Sequence, residues 1–344
     1  MAFSNPVDVL TMEDIMPNVV DTVLRANTLT TRMLTKDTMK FRAATQDFPL
    51  KYQKGTATTS FIGYDTLPTT FTDTRVLMKY NPAFNEANVA LATTDVAANN
   101  TLRKVLDLTE VEMISRAQDL ADSIGTQLYA DGSGNSGKDF NGLGNIVSAT
   151  ATIGGLSRTT YPTLASTVTA SSGTLSLFKM RTLFNNISDG GVQPNEAYTT
   201  YDVWALYEQL LQPQERIQKE INPSPDFKGY TGFSSLMFAG LPIAPDRKCT
   251  SGSLYFLNMD FLNFMTLDML GGLDKGGYSG EKVQVGSKLF KGSQYSPSEN
   301  FGFFWTGFIH ATNALAWNSF VVVGGNLVSA NPRRHGVLTG ITSI

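Results

Sequence analysis

A chain of 344 residues, 42% of them hydrophobic, has length for two domains or one elongated body and ample apolar mass for a core, which excludes a disordered chain. Its net charge of −3 excludes an overall basic bias that would drive tight, counterion-releasing binding to nucleic acid, and its single cysteine, Cys249, excludes an internal disulfide framework and a multi-cysteine metal site. Charged residues are only 17% of the chain against about 25% in a typical soluble domain, so either the core is large or much surface is buried against neighbours.

The N-terminus, MAFSNPVDVLTMEDIMPNVV, lacks the basic start and unbroken apolar run of a secretory signal. No stretch reaches the roughly 18 apolar residues needed to span a bilayer, so the expectation is synthesis and residence in a cytoplasm without a membrane partner. Within residues 1–40 one short helix is predicted, Pro17 to Ala26, with Pro17 in its first turn, Val19 and Val23 four apart, Val20 and Leu24 likewise, and Asn27 as its stop. The polar sequence around it makes a weakly patterned leading arm that gains little by packing on its own domain. Such an arm either lies along another subunit or frays.

From Thr38 to Thr94 the pattern changes to short strands rich in Thr, Phe and Tyr: KFRAATQDFPLKY, TATTSFIGY, TDTRVLMKY and NEANVALAT, punctuated by Lys54-Gly55, Pro68 and Asn81-Pro82. Together they predict a long β-hairpin arm. A two-stranded ribbon is marginal alone in water, so one this long needs a second surface, on its own body or a neighbour's. The aromatics Phe61, Tyr64, Phe71 and Tyr80 are either strand formers packed on whatever the arm touches or a platform for a ligand.

Thr101 to Gly134 carries the clearest periodicity in the chain. Leu106, Met113, Ala117, Leu120, Ile124 and Leu128 form an apolar stripe, with Arg116, Asp119 and Asp122 off it. Two starts fit: Asn99 or Asn100 as a cap, or the sharper signal of Thr109 with Glu112 as a capping box. With Gly132 and Gly134 ending it, a helix from Thr109 to Ala130 spans roughly 33 Å. Beyond it lies the glycine-rich DGSGNSGKDFNGLGNIV. Of the 26 residues from 148 to 173, 12 are Ser or Thr and Arg158 is the sole charge, which reads as a loop holding at most one strand.

Thr174 to Ser188 predicts a helix with Leu177, Met180, Leu183, Phe184 and Ile187 on one side. A short strand, EAYTT, leads to a second helix, TYDVWALYEQLL, stopped before Pro213. FSSLMFAGLPIAPD and GSLYFLNMDFLNFMTLDM supply apolar strands of a buried sheet, completing an α/β lobe. Glycines from Gly271 to Gly280 predict a flexible excursion, and FGFFWTGFIHATNALAWNSFVVVGG returns as two long strands.

No constellation of residues specifies an enzyme. Gly132 to Asp139 matches a phosphate-binding loop through Lys138, but it places Asp139 where magnesium needs Ser or Thr and follows a helix where the motif needs a strand. It also fails as a calcium loop, with Ser136 at the tight-turn glycine and Gly142 at the bidentate glutamate. His310 and His335 lie far apart with no cysteine pair nearby, so no zinc site is expected, and His310, alternating with apolar residues, reads as structural. Gly277-Tyr278-Ser279-Gly280 lacks the strand and helix that flank a nucleophile elbow. Glu110 and Glu112, on the long helix, read as solvated or interface charge, and Cys249 as a small buried hydrophobe. No catalytic residue, cofactor or metal is expected.

Order and spacing do resemble a family, the major capsid proteins of tailed bacteriophages with their Hong Kong 97-like fold, shared in outline with encapsulin shells. The features that carry the resemblance are the arm FPLKYQKGTATTSFIGYDTLPTTF, the long helix ending in YADGSG, the turn FNGLGNIV, and a helix-strand-helix-strand lobe with FAGLPIAPDRKCTSGSLYFLNMDFLNF. It covers most of the chain from about residue 38. The resemblance implies an α+β Hong Kong 97-like capsid fold with a long spine helix, an extended β-hairpin arm, a peripheral domain and an α/β axial domain. The implied divisions are an N-terminal arm at 1–40, an extended loop at 41–94, a peripheral domain at 95–173, an axial domain at 174–298 and closing peripheral strands at 299–344.

The same resemblance implies a non-enzymatic structural protein that assembles with itself into pentamers and hexamers of an icosahedral shell around double-stranded DNA. A separate scaffolding protein, a portal and a decoration protein are the implied partners, and the virion capsid, built in the host cytoplasm, the implied location. The arm residues expected at intersubunit contacts are Lys51, Lys54, Phe61, Tyr64 and Phe71. Many relatives carry a Trp and a Glu in the arm where this chain has Phe61 and either Tyr64 or Asp65. Some relatives crosslink an arm lysine to a neighbour's asparagine, and Lys51 and Lys54 are the arm lysines available for this, although the sequence identifies neither a partner asparagine nor a catalytic acid. The alternatives are an encapsulin-type compartment enclosing a cargo enzyme and, in another class, a β-rich carbohydrate-binding protein or hydrolase using the aromatic arm.

Overall fold

The computed structural model of the protein describes residues 27–36, 39–41, 44–55, 59–94, 102–211, 236–267, 303–305, 309–311 and 314–344. The predicted helix Pro17 to Ala26, the possible cap at Asn99 or Asn100 and the Gly271 to Gly280 excursion lie outside these residues.

Asn27 opens a helix. Its backbone is extended, its carbonyl accepts from Thr31 N–H at 2.9 Å, and α1 (Thr28–Thr35) follows. The helix is anchored from elsewhere in the chain, with Leu29 and Met33 buried and Leu29 N–H donating to Asp246 Oδ2 at 2.9 Å. After α1 the chain runs beside a core strand, with Phe41 N–H donating to the Thr266 carbonyl at 2.9 Å and Thr266 N–H to Met39 at 3.0 Å. This part of the leading arm therefore packs on its own body.

Of the four strands predicted between Thr38 and Thr94, three form: β1 (Gln46–Lys51), β2 (Arg75–Tyr80) and β3 (Ala83–Ala92). The fourth, TATTSFIGY, is not a strand in its described residues, 59–64. Its Thr and Phe content favours β structure, but among the described residues no strand pairs with it to complete a ladder.

The long helix, α2 (Leu102–Tyr129), has 28 residues and spans about 42 Å. It begins ahead of Thr109, which with Glu112 falls inside it, and Glu112 instead meets Arg116 at 3.7 Å. LRKVLDL is built of good helix formers, and extending an existing helix is easier than nucleating one at a cap. Leu120, Ala121, Ile124 and Leu128 face the core. At its C-terminal end the chain turns back so closely that a Cβ on Gly142 would stand 2.3 Å from the carbonyl oxygens of Gln127 and Ala130.

Apart from single helical turns, the remaining described elements are β4 (Thr167–Thr174), α3 (Leu177–Ile187), β5 (Glu196–Thr199), α4 (Tyr201–Leu211), β6 (Leu236–Phe238), β7 (Leu241–Pro245), β8 (Leu254–Leu257), β9 (Leu262–Thr266), β10 (Phe303–Trp305), β11 (Ile309–His310), β12 (Ala316–Ser329) and β13 (Gly336–Ser343). Of the C-terminal stretch expected as two long strands, one is β12, and opposite it the described residues of the other form β10 and β11.

Two sheets organise the body. In the first, β12 carries β3 along one edge, from Ala316 opposite Ala92 to Gly325 opposite Ala83, while β11, β10 and β9 succeed one another along the other. The second has the order β4-β13-β8-β5-β7-β6, with β4 parallel to β13 and β5 parallel to β7. β5 and β8 are buried at every position because the sheet is covered on both sides. One face packs Ala197, Leu254 and Phe256 against Met180, Leu183 and Phe184 of α3 and against Val203 and Tyr207 of α4. The other turns Tyr198, Tyr255 and Leu257 into a larger core shared with α1, α2 and the first sheet. Buried area of this kind supplies most of the folding free energy.

The Ser- and Thr-rich loop is organised around its one charge. Arg158 is buried, and its guanidinium donates to the carbonyls of Leu164 at 3.1 Å, Asn145 at 2.8 Å, Ala151 at 3.0 Å and Ile146 at 2.6 Å. Cys249 is buried, which pushes its thiol well above the usual cysteine range. His310 stands on β11, exposed and against Trp317, with ring centres 4.1 Å apart and the rings tilted at 46°.

Candidate intersubunit surface

The hairpin of β1 and β2 has a fixed root and an uncovered tip. The register sets Gln46 opposite Tyr80 and Lys51 opposite Arg75, and along β2 the inward face passes from half-buried Val76 to buried Met78 and Tyr80. Tyr80 is buried, meets Phe48 edge-on at 6.0 Å and donates its phenol proton to the Ser329 carbonyl at 3.0 Å. Burial raises that phenol far above the ordinary tyrosine range, so it stays a donor at any working pH. Lys79 N–H donates to the Gly154 carbonyl at 2.9 Å, and Met78 fills the space a side chain at Gly154 would need.

A neck closes the ladder. Tyr52 N–H donates to the Thr74 carbonyl at 3.0 Å, and the Tyr52 hydroxyl and Gln53 amide both donate to the Asp73 carbonyl. The Tyr52 ring meets Tyr161 of the loop around Arg158 edge-on at 5.0 Å. Lys51 and Arg75 stand side by side at this distal end, and like charges directly opposite each other weaken an isolated ladder.

Past the neck, the tip is held by its own turn, in which Ile62 N–H donates to Asp65 Oδ2 at 2.9 Å and Asp65 N–H to the Ile62 carbonyl at 3.2 Å. Phe61 is 62%, Ile62 83% and Phe71 93% exposed, and Tyr64 is fully so. Of the residues singled out in the sequence, Phe61, Tyr64 and Phe71 share this one excursion, Lys54 lies exposed beside the neck and Lys51 exposed at the end of β1. Ile62 and Leu67, equally part of the apolar tip, were missed, and the alternation of RVLMKY was the signal that Met78 and Tyr80 belong to the root. Soluble monomers rarely leave so many adjacent apolar side chains uncovered.

The ionisable groups of the interior fasten elements together. Arg32 of α1 donates to Glu196 Oε1 at 2.7 Å, and Tyr198 to Glu196 Oε2 at 2.7 Å. Asp246 accepts from Leu29 N–H, from Lys248 N–H at 2.9 Å and from the Tyr129 hydroxyl at 3.2 Å. Burial is the main cause that pushes both tyrosine phenols up, with the neighbouring carboxylates adding to it. Gly132 to Asp139 is a turn in which Asn135 and Ser136 take left-handed backbone angles. Among the described residues no group of three or more His, Cys, Asp or Glu side chains is placed to hold a metal ion, and no helix is long and apolar enough to cross a membrane.

No protein-family model and no curated protein sequence matches the chain. Its structure does have counterparts. A chain of the cyanophage A-1(L) capsid asymmetric unit is similar at a TM-score of 0.64 and 16% identity, over 92% of this chain and 93% of that one. The capsid of a native GTA particle is similar at 0.51 and 7% identity, over 90% of each chain. The SrpI encapsulin of Synechococcus elongatus PCC 7942 is similar at 0.50 and 12% identity, over 90% of this chain and 89% of that one. The chain has the α+β, Hong Kong 97-like fold of phage capsid proteins that its sequence resembles.

Proposed function

We propose that the protein is a structural, non-enzymatic shell subunit of a tailed bacteriophage, closing with copies of itself into pentamers and hexamers of an icosahedral container for double-stranded DNA. The observation that carries this reading is the arm tip, where Phe61, Ile62, Tyr64, Leu67 and Phe71 are all exposed on an excursion whose root is rigidly built into the body. Burying that tip on a neighbouring copy stabilises both. Many modest contacts of one kind, repeated around rotation axes, add through multivalency into a closed particle.

In this reading the β1–β2 arm is the extended loop, α2 with the β12 sheet is the peripheral domain and the sheet covered by α3 and α4 is the axial domain. Lys51 and Lys54 accompany the tip onto the neighbour. A separate scaffolding protein directs closure, a portal and a decoration protein complete the particle, and the virion capsid is where the chain resides. A net charge of −3 suits a wall that encloses DNA without gripping it.

The test is to express the chain alone and with a candidate scaffolding protein, then to examine both by sedimentation and electron microscopy. Closed shells are the expected result, and a protein that remains monomeric in both preparations overturns the reading. The likeness to an encapsulin favours a second reading, a compartment with protein cargo, although the likeness to the cyanophage capsid chain is greater. Nuclease-protected DNA inside particles from infected cells supports the viral shell, and a packaged enzyme supports the compartment.

A further inference from the structure

Two of the chain's crossings between its two sheets lie side by side. Residues 258–261 lead from β8 to β9, and residues 330–335 lead from β12 to β13. The crossings touch, with Ala330 N–H donating to the Phe261 carbonyl at 2.9 Å. His335 is fully buried at this junction. Its Nδ1 accepts from Asn258 N–H at 3.2 Å, and its Nε2 lies 3.0 Å from Ser329 Oγ. An Nδ1 that accepts assigns the neutral tautomer, with the proton on Nε2 donated to Ser329. One imidazole therefore ties the end of β12 to the start of the other crossing.

The charged surroundings oppose a second proton. Lys36, just past α1, donates its ammonium to the carbonyls of Met259 and Leu262, and its cation acts on the ring. Asp260 of the crossing, Glu196 of β5 and Arg32 of α1 act on Lys36. On the histidine's own segment Arg334 is taken by Asp189 at 2.8 Å and Arg333 is exposed. Among the described residues no carboxylate contacts the imidazole.

We propose that His335 is an acid-sensitive pin in the hinge between the two sheets, holding the crossings together when neutral and freeing them when protonated, so that mild acid lets the sheets move before either unfolds. Protonation places a hydrogen on Nδ1 facing the Asn258 N–H, so a donor meets a donor and the bond becomes a repulsion. It also buries a cation near Lys36.

Burial, with Lys36 second, pushes the pKa of His335 down to about 3, so the closed form stays neutral in mild acid and acid acts by capturing the open form. The pH window follows from the two states. Above about 6.5 neither form takes the proton and pH has no effect. Below it the open form binds a proton that the closed form refuses, so closure weakens steadily down to about pH 3. At pH 4.5, two units below the open-state value, the opening equilibrium rises about 100-fold over its value at pH 7.5.

Hydrogen exchange of the 344-residue chain, read by mass spectrometry at pH 7.5 and 4.5 and corrected for intrinsic exchange, tests this. Peptides covering 257–262 and 329–336 should open about 100-fold more at the lower pH, while those covering β3 and α3 keep their protection. His335→Gln keeps an acceptor for Asn258 and a donor for Ser329 without titrating, and should remove the acid response while preserving protection at pH 7.5. Wild-type peptides at the hinge that do not respond, or that open only together with β3 and α3, overturn the proposal whether or not the variant folds. A folded His335→Gln chain that opens in acid as the wild type does overturns it as well.

Discussion

Tyr80, the last residue of β2, donates its phenol proton to the carbonyl of Ser329, the last residue of β12, at 3.0 Å. This bond fixes the direction in which the arm leaves the body, because Tyr80 is also where β2 ends and the chain turns into β3. Tyr80→Phe keeps the ring packed on Phe48 and leaves a buried carbonyl without its donor. The expected loss is about 1 kcal/mol, read from the urea midpoint, together with faster amide exchange in 46–51 and 75–80. Unchanged exchange in the arm would show that strand pairing alone orients it.

Changing the tip separates folding from assembly. Tyr64→Ser combined with Phe71→Ser removes two rings that the chain leaves in solvent, so subunit stability should move by no more than about 0.5 kcal/mol. Sedimentation should show the double variant as free subunits under conditions in which the wild type closes. Shells in normal yield would place the assembly contact elsewhere.

Arg158 holds its loop through four carbonyls, and burial pushes its pKa down to about 10, still high enough to keep the guanidinium charged near neutrality. Arg158→Met keeps some of the volume and strands those acceptors. A loss of about 3 kcal/mol is expected in denaturant unfolding. Early proteolytic cleavage between residues 145 and 166 is the local signature.

Asp246 serves as a remote cap for α1, accepting from Leu29 N–H, Lys248 N–H and the Tyr129 hydroxyl. In Asp246→Asn one of the two oxygens becomes an amide donor facing a donor. About 2 kcal/mol should be lost. Exchange in 27–36 should rise well before exchange in α3, and a uniform rise across the chain would mean that Asp246 supports the body as a whole rather than α1 alone.

Much of the fold was legible wherever one periodicity dominates. The stripe of Met180, Leu183, Phe184 and Ile187 marked α3, and the buried face of α2 was read from Leu120, Ile124 and Leu128. Local signals failed where a distant partner overruled them. The start of α1 at Asn27 was not read, because the group that holds its first turn is Asp246, 217 positions from Leu29. Thr109 and Glu112 spelled a capping box inside a helix that had already begun. At the candidate surface, the exposed aromatics Phe61, Tyr64 and Phe71 were legible, but the root at Tyr80 and Ser329 joins residues 249 positions apart, which no spacing rule reports.

The sequence by itself determined most of the helices and strands, that so few charges leave either a large core or much surface for neighbours, and that its order of elements resembles capsid proteins. Those features are local, set by propensity and by the period with which apolar residues recur. Only the tertiary structure decided that α1 is fastened to the body, that Arg158 and His335 are interior linchpins and that the arm is fixed at one end and bare at the other. Burial and hydrogen-bond partnership are properties of pairs, and pairs such as Leu29 with Asp246 and Tyr80 with Ser329 join distant parts of the sequence.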